Sequence, residues 1–339
     1  MTMTPATRPR IRVLFTGSRA ESNWEPWGRE METALSRAHD LVVADPDRPL
    51  LDQVADRSIE AVVDASMLAS SALAEAAEGH VRLWQLGSVG YDKVDVASLA
   101  RHGIPVANQP GFTSSRSLAE QALLLAMMVE RSIRDFDRTI DAGHIGQPTG
   151  RQLAGRTLLI IGLGASGRQL ARRAVVFGMR VIAIARRGPD PVLERRFGLA
   201  WIGGLDRLDE ALGEADVVSL HVPLSNETRN ILDARRISLI RPGGVIVNVS
   251  RGGLIDEPAL AAAVRSGHLF GAGLDVVDGE PAGPDHPLRG IDRIIMAPHV
   301  AGATDATAQR RARFAALNVS RLRYGLEPLS RVDTLADQG

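Results

Sequence analysis

Residues 157–167 read TLLIIGLGASG, and a helix-forming stretch at residues 168–176 follows at once. The apolar run, rich in isoleucine and leucine, has the composition of a strand buried on both faces. It breaks at three glycines spaced Gly162-x-Gly164-x-x-Gly167. Gly162 permits the tight turn out of the strand, and Gly164 lets backbone approach a pyrophosphate. Gly167 lets the helix pack close on the strand. The helix N-terminus then offers unpaired amides and a positive dipole end to the anion. Glycines alone say little, but strand, turn and helix in this order point to a dinucleotide-binding unit. Such a unit ordinarily opens its fold, yet here it starts near the middle of 339 residues.

That length allows two domains of ordinary size. With 45% apolar and 24% charged residues the composition is that of a globular protein. Forty basic and 40 acidic residues give a formal net charge of zero, which argues against nucleic acid or an anionic membrane as partner. Cysteine is absent, so disulfides, thiolate nucleophiles and cysteine metal sites are excluded; no metal site is expected. Residues 1–12 are polar and lack the apolar core of a signal peptide. No apolar run approaches the roughly 18–20 residues of a membrane span. A cytoplasmic location is expected.

Upstream of the glycines, short apolar runs at residues 12–15, 41–43, 61–63, 82–86 and 105–107 read as strands. Helical spacing at residues 30–38, 73–77 and 96–101 lies between them, which predicts a parallel α/β domain. From Ser117 to Ile133 the pattern is helical, with Ser117 and Glu120 spaced as a capping box. Its faces are apolar all round, so it is expected to be buried at a domain or subunit interface. Beyond the glycines, strands are predicted at 181–184, 217–220, 245–248, 271–274 and 294–296, separated by helices at 170–177, 207–212 and 257–266. This is a doubly wound sheet. A last helix at 306–324 lies beyond it. A first domain interrupted by a complete nucleotide domain would explain the mid-chain glycines and leave a cleft between two lobes.

Open α/β sheets bind ligands beyond the carboxyl ends of their strands. His221 and Pro223 follow one such end, Asn248, Ser250 and Arg251 another, Asp275 and then Glu280 a third, and His299 the last. An arginine can clamp a carboxylate through two hydrogen bonds and polarise a neighbouring carbonyl. A histidine can exchange a proton with an alcohol oxygen, and a carboxylate beside it stabilises the imidazolium and orients the ring. Each residue alone also has a structural explanation, as an ion pair or a turn. Their convergence on one sheet with a glycine loop favours chemistry.

Eight stretches then carry a family likeness: GSVGYDKVD (87–95), GIPVANQPG (103–111), SLAEQALLLA (117–126), LAGRTLLIIGLGASGRQLARRAVVFGMRV (153–181), SLHVPLSNETRNIL (219–232), RPGGVIVNVSRGGLIDEPAL (241–260), GAGLDVVDGEP (271–281) and APHVAGAT (297–304). The chain resembles the D-isomer-specific 2-hydroxyacid dehydrogenases, the group that includes phosphoglycerate dehydrogenase, glyoxylate/hydroxypyruvate reductase and formate dehydrogenase. The resemblance implies two Rossmann-like α/β domains, with a nucleotide domain (113–302) inserted into a flavodoxin-like substrate domain (1–112 and 303–339). It assigns substrate binding to Arg251, the acid/base to His299 and its carboxylate partner to Glu280. The backbone around Ser88, Val89 and Gly90 would hold the substrate carboxylate. Gly162, Gly164, Ala165, Ser166, Gly167, His221, Pro223, Thr228, Val249, Ser250, Asp275, His299 and Gly302 would surround the cofactor, with Asp275 at the nicotinamide carboxamide. A homodimer through the nucleotide domain is also implied.

Two departures refine this. NAD-preferring relatives carry an acid after the second nucleotide strand, to hold the ribose 2′-hydroxyl; here Ala185 stands there, followed by Arg186 and Arg187. Losing the carboxylate removes repulsion of a 2′-phosphate and two guanidiniums attract it, so NADP(H) is expected, with NAD the alternative. Met67, Leu68, Ala69 and Ser70 offer no arginine to a phosphorylated substrate, which favours a small unphosphorylated 2-keto acid such as glyoxylate or hydroxypyruvate. Other readings are 3-phosphoglycerate, formate or phosphonate oxidation, or a non-catalytic dinucleotide-sensing corepressor.

Overall fold

The computed structural model describes residues 10–17, 24–65 and 67–334, so the polar stretch 1–9 lies outside the described residues. The chain separates into two compact units, residues 1–113 with 304–339, and residues 114–303.

In the first unit, strands β1 (Arg12–Phe15), β2 (Asp40–Val43), β3 (Ala61–Asp64), β4 (Trp84–Leu86) and β5 (Val106–Ala107) form a sheet in the order β2-β1-β3-β4-β5. All pairings are parallel, and the order is that of flavodoxin. Side chains alternate between the two faces. Leu14, Val62, Trp84 and Val106 share one apolar cluster, and Val13, Phe15, Ala61, Val63 and Ala107 the other. The second cluster is completed by Met31 and Leu35 of helix Trp24–Ala38 and by Ala312, Ala315 and Val319 of helix Asp305–Arg323. The chain's last long helix therefore belongs to the sheet built by its first residues.

In the second unit, β6 (Thr157–Ile161), β7 (Arg180–Ile184), β8 (Trp201–Gly203), β9 (Val217–Leu220), β10 (Gly244–Asn248), β11 (Leu269–Leu274) and β12 (Ile294–Met296) run in the order β12-β11-β10-β9-β6-β7-β8. This is the doubly wound dinucleotide order, reversing between β6 and β9. Leu159, Ile161, Ile182 and Val218 pack on one face, and Leu158, Ile160, Val181 and Val217 on the other. Burial on both faces is why these strands read as unbroken apolar runs.

Helix Ser115–Glu130 corrects one expectation. It begins before Ser117, whose Oγ donates to the Ser114 carbonyl at 2.8 Å, while Glu120 pairs with Arg173 at 2.8 Å. The capping box therefore does not form. Within the chain the helix keeps one apolar side chain open, Leu124 at 46% exposure. Its inner face lies directly on β11. A Cβ added to Gly273 would sit 2.7 Å from the Leu125 Cβ, and one on Gly271 would sit 2.8 Å from a Val129 methyl. Strand β8 and the helix Pro191–Phe197 are elements not predicted above.

The turn after β6 is fixed by contact. Gly162 has φ +103°, and a Cβ there would lie 2.5 Å from the His221 carbonyl oxygen; on Gly167 it would lie 2.1 Å from the Gly162 oxygen. His221 is buried at the end of β9, with Nδ1 3.0 Å from Ser166 Oγ and Nε2 3.0 Å from Ser219 Oγ. Burial lowers its pKa to about 4, so the ring is neutral at pH 7, one nitrogen donating and the other accepting.

An unfolded histidine titrates near 6.5. The stability that comes with the neutral ring is therefore complete above pH 6.5 and is lost as pH falls toward 4. Equilibrium denaturant unfolding at pH 7 and pH 5 should show wild type losing about 2 kcal/mol more than His221→Gln over that interval. Identical losses would mean that His221 does not titrate in this way.

Candidate active site

The carboxyl ends of β10, β11 and β12 are neighbours in the sheet, and each delivers a segment that bears chemistry. Asp275, buried after β11, organises two of them. Its Oδ1 accepts from Val300 N (3.1 Å) and Gln121 Nε2 (3.1 Å), its Oδ2 from Ala301 N (2.8 Å), and its carbonyl from His299 N (2.8 Å). Burial pushes the carboxyl pKa up, and the two amides work against that rise. These bonds hold His299 at φ +54°, a left-handed conformation that costs a non-glycine residue of order 1–3 kcal/mol.

The imidazole so presented has Nδ1 2.9 Å from Glu280 Oε2, and its side chain is 50% exposed. A carboxylate on Nδ1 fixes the ring so that Nε2 is the atom left for exchange. Glu280 Oε1 accepts from Val277 N at 3.2 Å. The turn that carries Glu280 is anchored from below: Glu257 Oε1 accepts from Asp278 N at 2.8 Å, and Oε2 lies 3.0 Å from His286 Nε2. Burial raises the Glu257 pKa. The sequence suggested only a helix start at Glu257 and nothing at His286; no pattern signals a pair that exists through loop folding.

Arg251 leaves β10 through a fixed turn. Asn248 Nδ2 donates to the Arg251 carbonyl at 2.8 Å, Ser250 N donates to Asn248 Oδ1 at 3.0 Å, and Ser250 Oγ to the Leu220 carbonyl at 2.9 Å. Arg251 Nη1 donates to the Ser250 carbonyl at 2.8 Å. A Cβ on Gly252 would lie 1.9 Å from the Val277 carbonyl carbon, so this segment rests directly on the peptide that leads to Glu280. The structure thus brings Arg251, Glu280 and His299 to adjoining strand ends.

The glycine turn fits a dinucleotide. Among the described residues the amides of Ala165, Ser166 and Gly167 have no acceptor, and a Cβ on Gly164 would meet nothing within 4 Å. Open space over unpaired amides at a helix N-terminus is what a pyrophosphate needs. His221 acts beneath that turn, both ring nitrogens being used by Ser166 and Ser219. Thr228 Oγ1 donates to the Pro223 carbonyl at 2.7 Å and braces the loop after β9. The Val249 side chain lies in the core, and Gly302 is in the turn after His299. Arg186 and Arg187 are exposed in the turn after β7 and make no ion pair among the described residues.

In the first unit, the loop after β4 has its carbonyls occupied and its amides open. Ser88 O accepts from Gln109 N (2.9 Å), Val89 O from Asn108 Nδ2 (2.6 Å) and Gly90 O from Ser88 Oγ (2.6 Å). No acceptor meets the amides of Ser88, Val89 or Gly90 among the described residues. Three consecutive open amides are the backbone pattern that suits a small anion. Asn108 and Gln109, which hold the loop from β5, were not singled out in the sequence.

Comparison with known proteins agrees with this geometry. Residues 123–301 match the family model described as "D-isomer specific 2-hydroxyacid dehydrogenase, NAD binding domain". A glyoxylate reductase of Korarchaeum cryptofilum is 35% identical over 255 residues, 73% of this chain and 74% of that protein. A D-3-phosphoglycerate dehydrogenase of Mycobacterium leprae is 36% identical over 304 residues, 88% of this chain but 54% of that longer protein. Among solved structures, the TT0316 protein of Thermus thermophilus superposes with a TM-score of 0.80 at 32% identity, covering 95% of this chain and 100% of that one. With half of its length matching the family model, this chain belongs to the D-isomer-specific 2-hydroxyacid dehydrogenases.

Proposed function

We propose that this oxidoreductase uses NADPH to reduce a small, unphosphorylated 2-keto acid of the size of glyoxylate or hydroxypyruvate. The observation that carries the reading is the His299–Glu280 pair, 2.9 Å apart with the imidazole half open to solvent, beside the segment bearing Arg251 and in one sheet with the open glycine turn. Its placement suits proton delivery to an oxygen held at the carboxyl edge of the strands. The cofactor, when bound, supplies hydride to the keto carbon. Arg251 binds the substrate carboxylate and polarises the keto oxygen. The amides of Ser88, Val89 and Gly90 are donors suited to a substrate carboxylate. His299 gives its Nε2 proton to the oxygen as the alcohol forms. Glu280 stabilises the imidazolium through Nδ1.

A small substrate is supported by Met67, Leu68, Ala69 and Ser70, which carry no cation for a phosphate, and by the reductases among the relatives. These include a hydroxypyruvate reductase of Thermotoga maritima, 38% identical over 227 residues. The choice of NADPH rests on Ala185, Arg186 and Arg187. We place the enzyme in the cytoplasm as a homodimer formed through the second unit. There Leu124, Ile140 and Val176 are 46%, 70% and 85% exposed, apolar area that a second copy would cover. Light scattering at micromolar concentration should give the mass of two chains.

With glyoxylate and NADPH, His299→Ala should lower kcat by about 10²–10⁴-fold, the usual contribution of general acid–base catalysis, while the dissociation constant for NADPH stays within a factor of about two. A variant with near-native kcat would remove His299 from its role. Replacing Arg186 and Arg187 together with serine should raise the KM for NADPH at least about tenfold, since hydrogen bonds to charged groups contribute about 1.5–3 kcal/mol. The KM for NADH should stay nearly constant; equal changes for both cofactors would reject the arginines as phosphate readers.

A further inference from the structure

The carbonyl just ahead of the open-amide loop has a different kind of donor from its neighbours. Gly87 O faces Nη1 of Arg311, from helix Asp305–Arg323, at 3.4 Å. The Arg311 guanidinium carbon lies 4.6 Å from the centroid of the Trp27 ring, so one face is shielded from water. Nε is buried with no acceptor. Among the described residues no carboxylate pairs with Arg311. Among the described residues a second cation acts on it, Arg310, whose Nε donates to the Thr113 carbonyl at 2.7 Å. Burial and that neighbour push the Arg311 pKa down to about 10, which leaves the group charged at neutral pH.

A desolvated cation without an anion is costly unless something compensates it. Its position says what could. The Gly87 carbonyl and the Ser88 amide belong to one peptide plane and point in opposite directions. A guanidinium at the oxygen therefore orients the plane and polarises the amide into a better donor. It also adds a positive field at short range in a region poor in water.

We propose that Arg311 is a positioning residue for substrate: through the Gly87–Ser88 peptide it charges and orients the Ser88–Gly90 amides for the carboxylate of the 2-keto acid. The inference rests on the reading of that loop as the carboxylate receptor. Arg311 touches neither hydride nor proton transfer, so its effect belongs in substrate affinity and not in turnover.

Steady-state kinetics with glyoxylate and NADPH test this on Arg311→Gln and Arg311→Lys in the full-length enzyme. Arg311→Gln should raise the KM for glyoxylate about tenfold, the effect of one charge-assisted hydrogen bond. Its kcat and its KM for NADPH should stay within about twofold. Inhibition by oxalate, a carboxylate that cannot be reduced, should weaken in the same proportion. Arg311→Lys keeps the charge and should recover most of the affinity. Should Arg311→Gln not fold, Arg311→Met, which keeps the stem on Trp27, takes its place. An unchanged KM, or a fall in kcat at constant KM, would overturn the role. Val89→Pro, which deletes one loop amide, separates the two levels. If it raises the KM for glyoxylate while Arg311→Gln does not, Arg311 is excluded and the loop assignment stands. If neither variant moves the KM, both fall.

Discussion

One buried carboxylate holds the reactive end of the second unit together. Asp275 ends β11 and takes hydrogen bonds from the amides of Val300 and Ala301, from Gln121, and through its own carbonyl from His299. Those bonds help keep His299 at φ +54°. Loss of that conformation would carry the imidazole away from Glu280. A buried acceptor surrounded by donors is also expensive to disturb, since removing it strands several polar groups at once. The geometry of the His299–Glu280 pair is thereby tied to the stability of the sheet.

A second constraint is the absence of side chains where backbones meet. Gly252 allows the Arg251 segment to rest on the Val277–Asp278 peptide, and Glu257 fixes that peptide from the opposite side through Asp278 N. Gly271 and Gly273 let helix Ser115–Glu130 sit on β11. Arg251 and Glu280 therefore inherit their positions from main-chain contact more than from side-chain packing. In each unit the anion-receptive backbone is made in a related way. Neighbouring groups saturate the carbonyls or brace the turn, and consecutive amides remain open, at Ser88–Gly90 in one unit and at Ala165–Gly167 in the other.

Much of the fold was legible because parallel strands covered on both faces must be apolar throughout. The runs at Thr157–Ile161, Val217–Leu220 and Ile294–Met296 appear where periodicity placed them. Strand Trp201–Gly203 escaped because three residues with an exposed edge carry no such run. The capping box failed for a local reason: Ser117 already lies inside the first turn, and its hydroxyl is used by the Ser114 carbonyl. Arg251, Glu280 and His299 could be singled out because each follows the carboxyl end of a strand. Their supporting residues Gln121, Glu257 and His286 could not.

The sequence by itself determined the fold class and the family. Apolar runs, glycine spacing and polar residues at strand ends are local features, and burial leaves a local imprint on composition. Tertiary structure alone decided the tautomer-fixing contact of His299, the neutral state of His221 and the burial of Arg311 against Trp27. Each depends on groups brought together from distant segments, and on how much water those segments exclude. Linear order records neither.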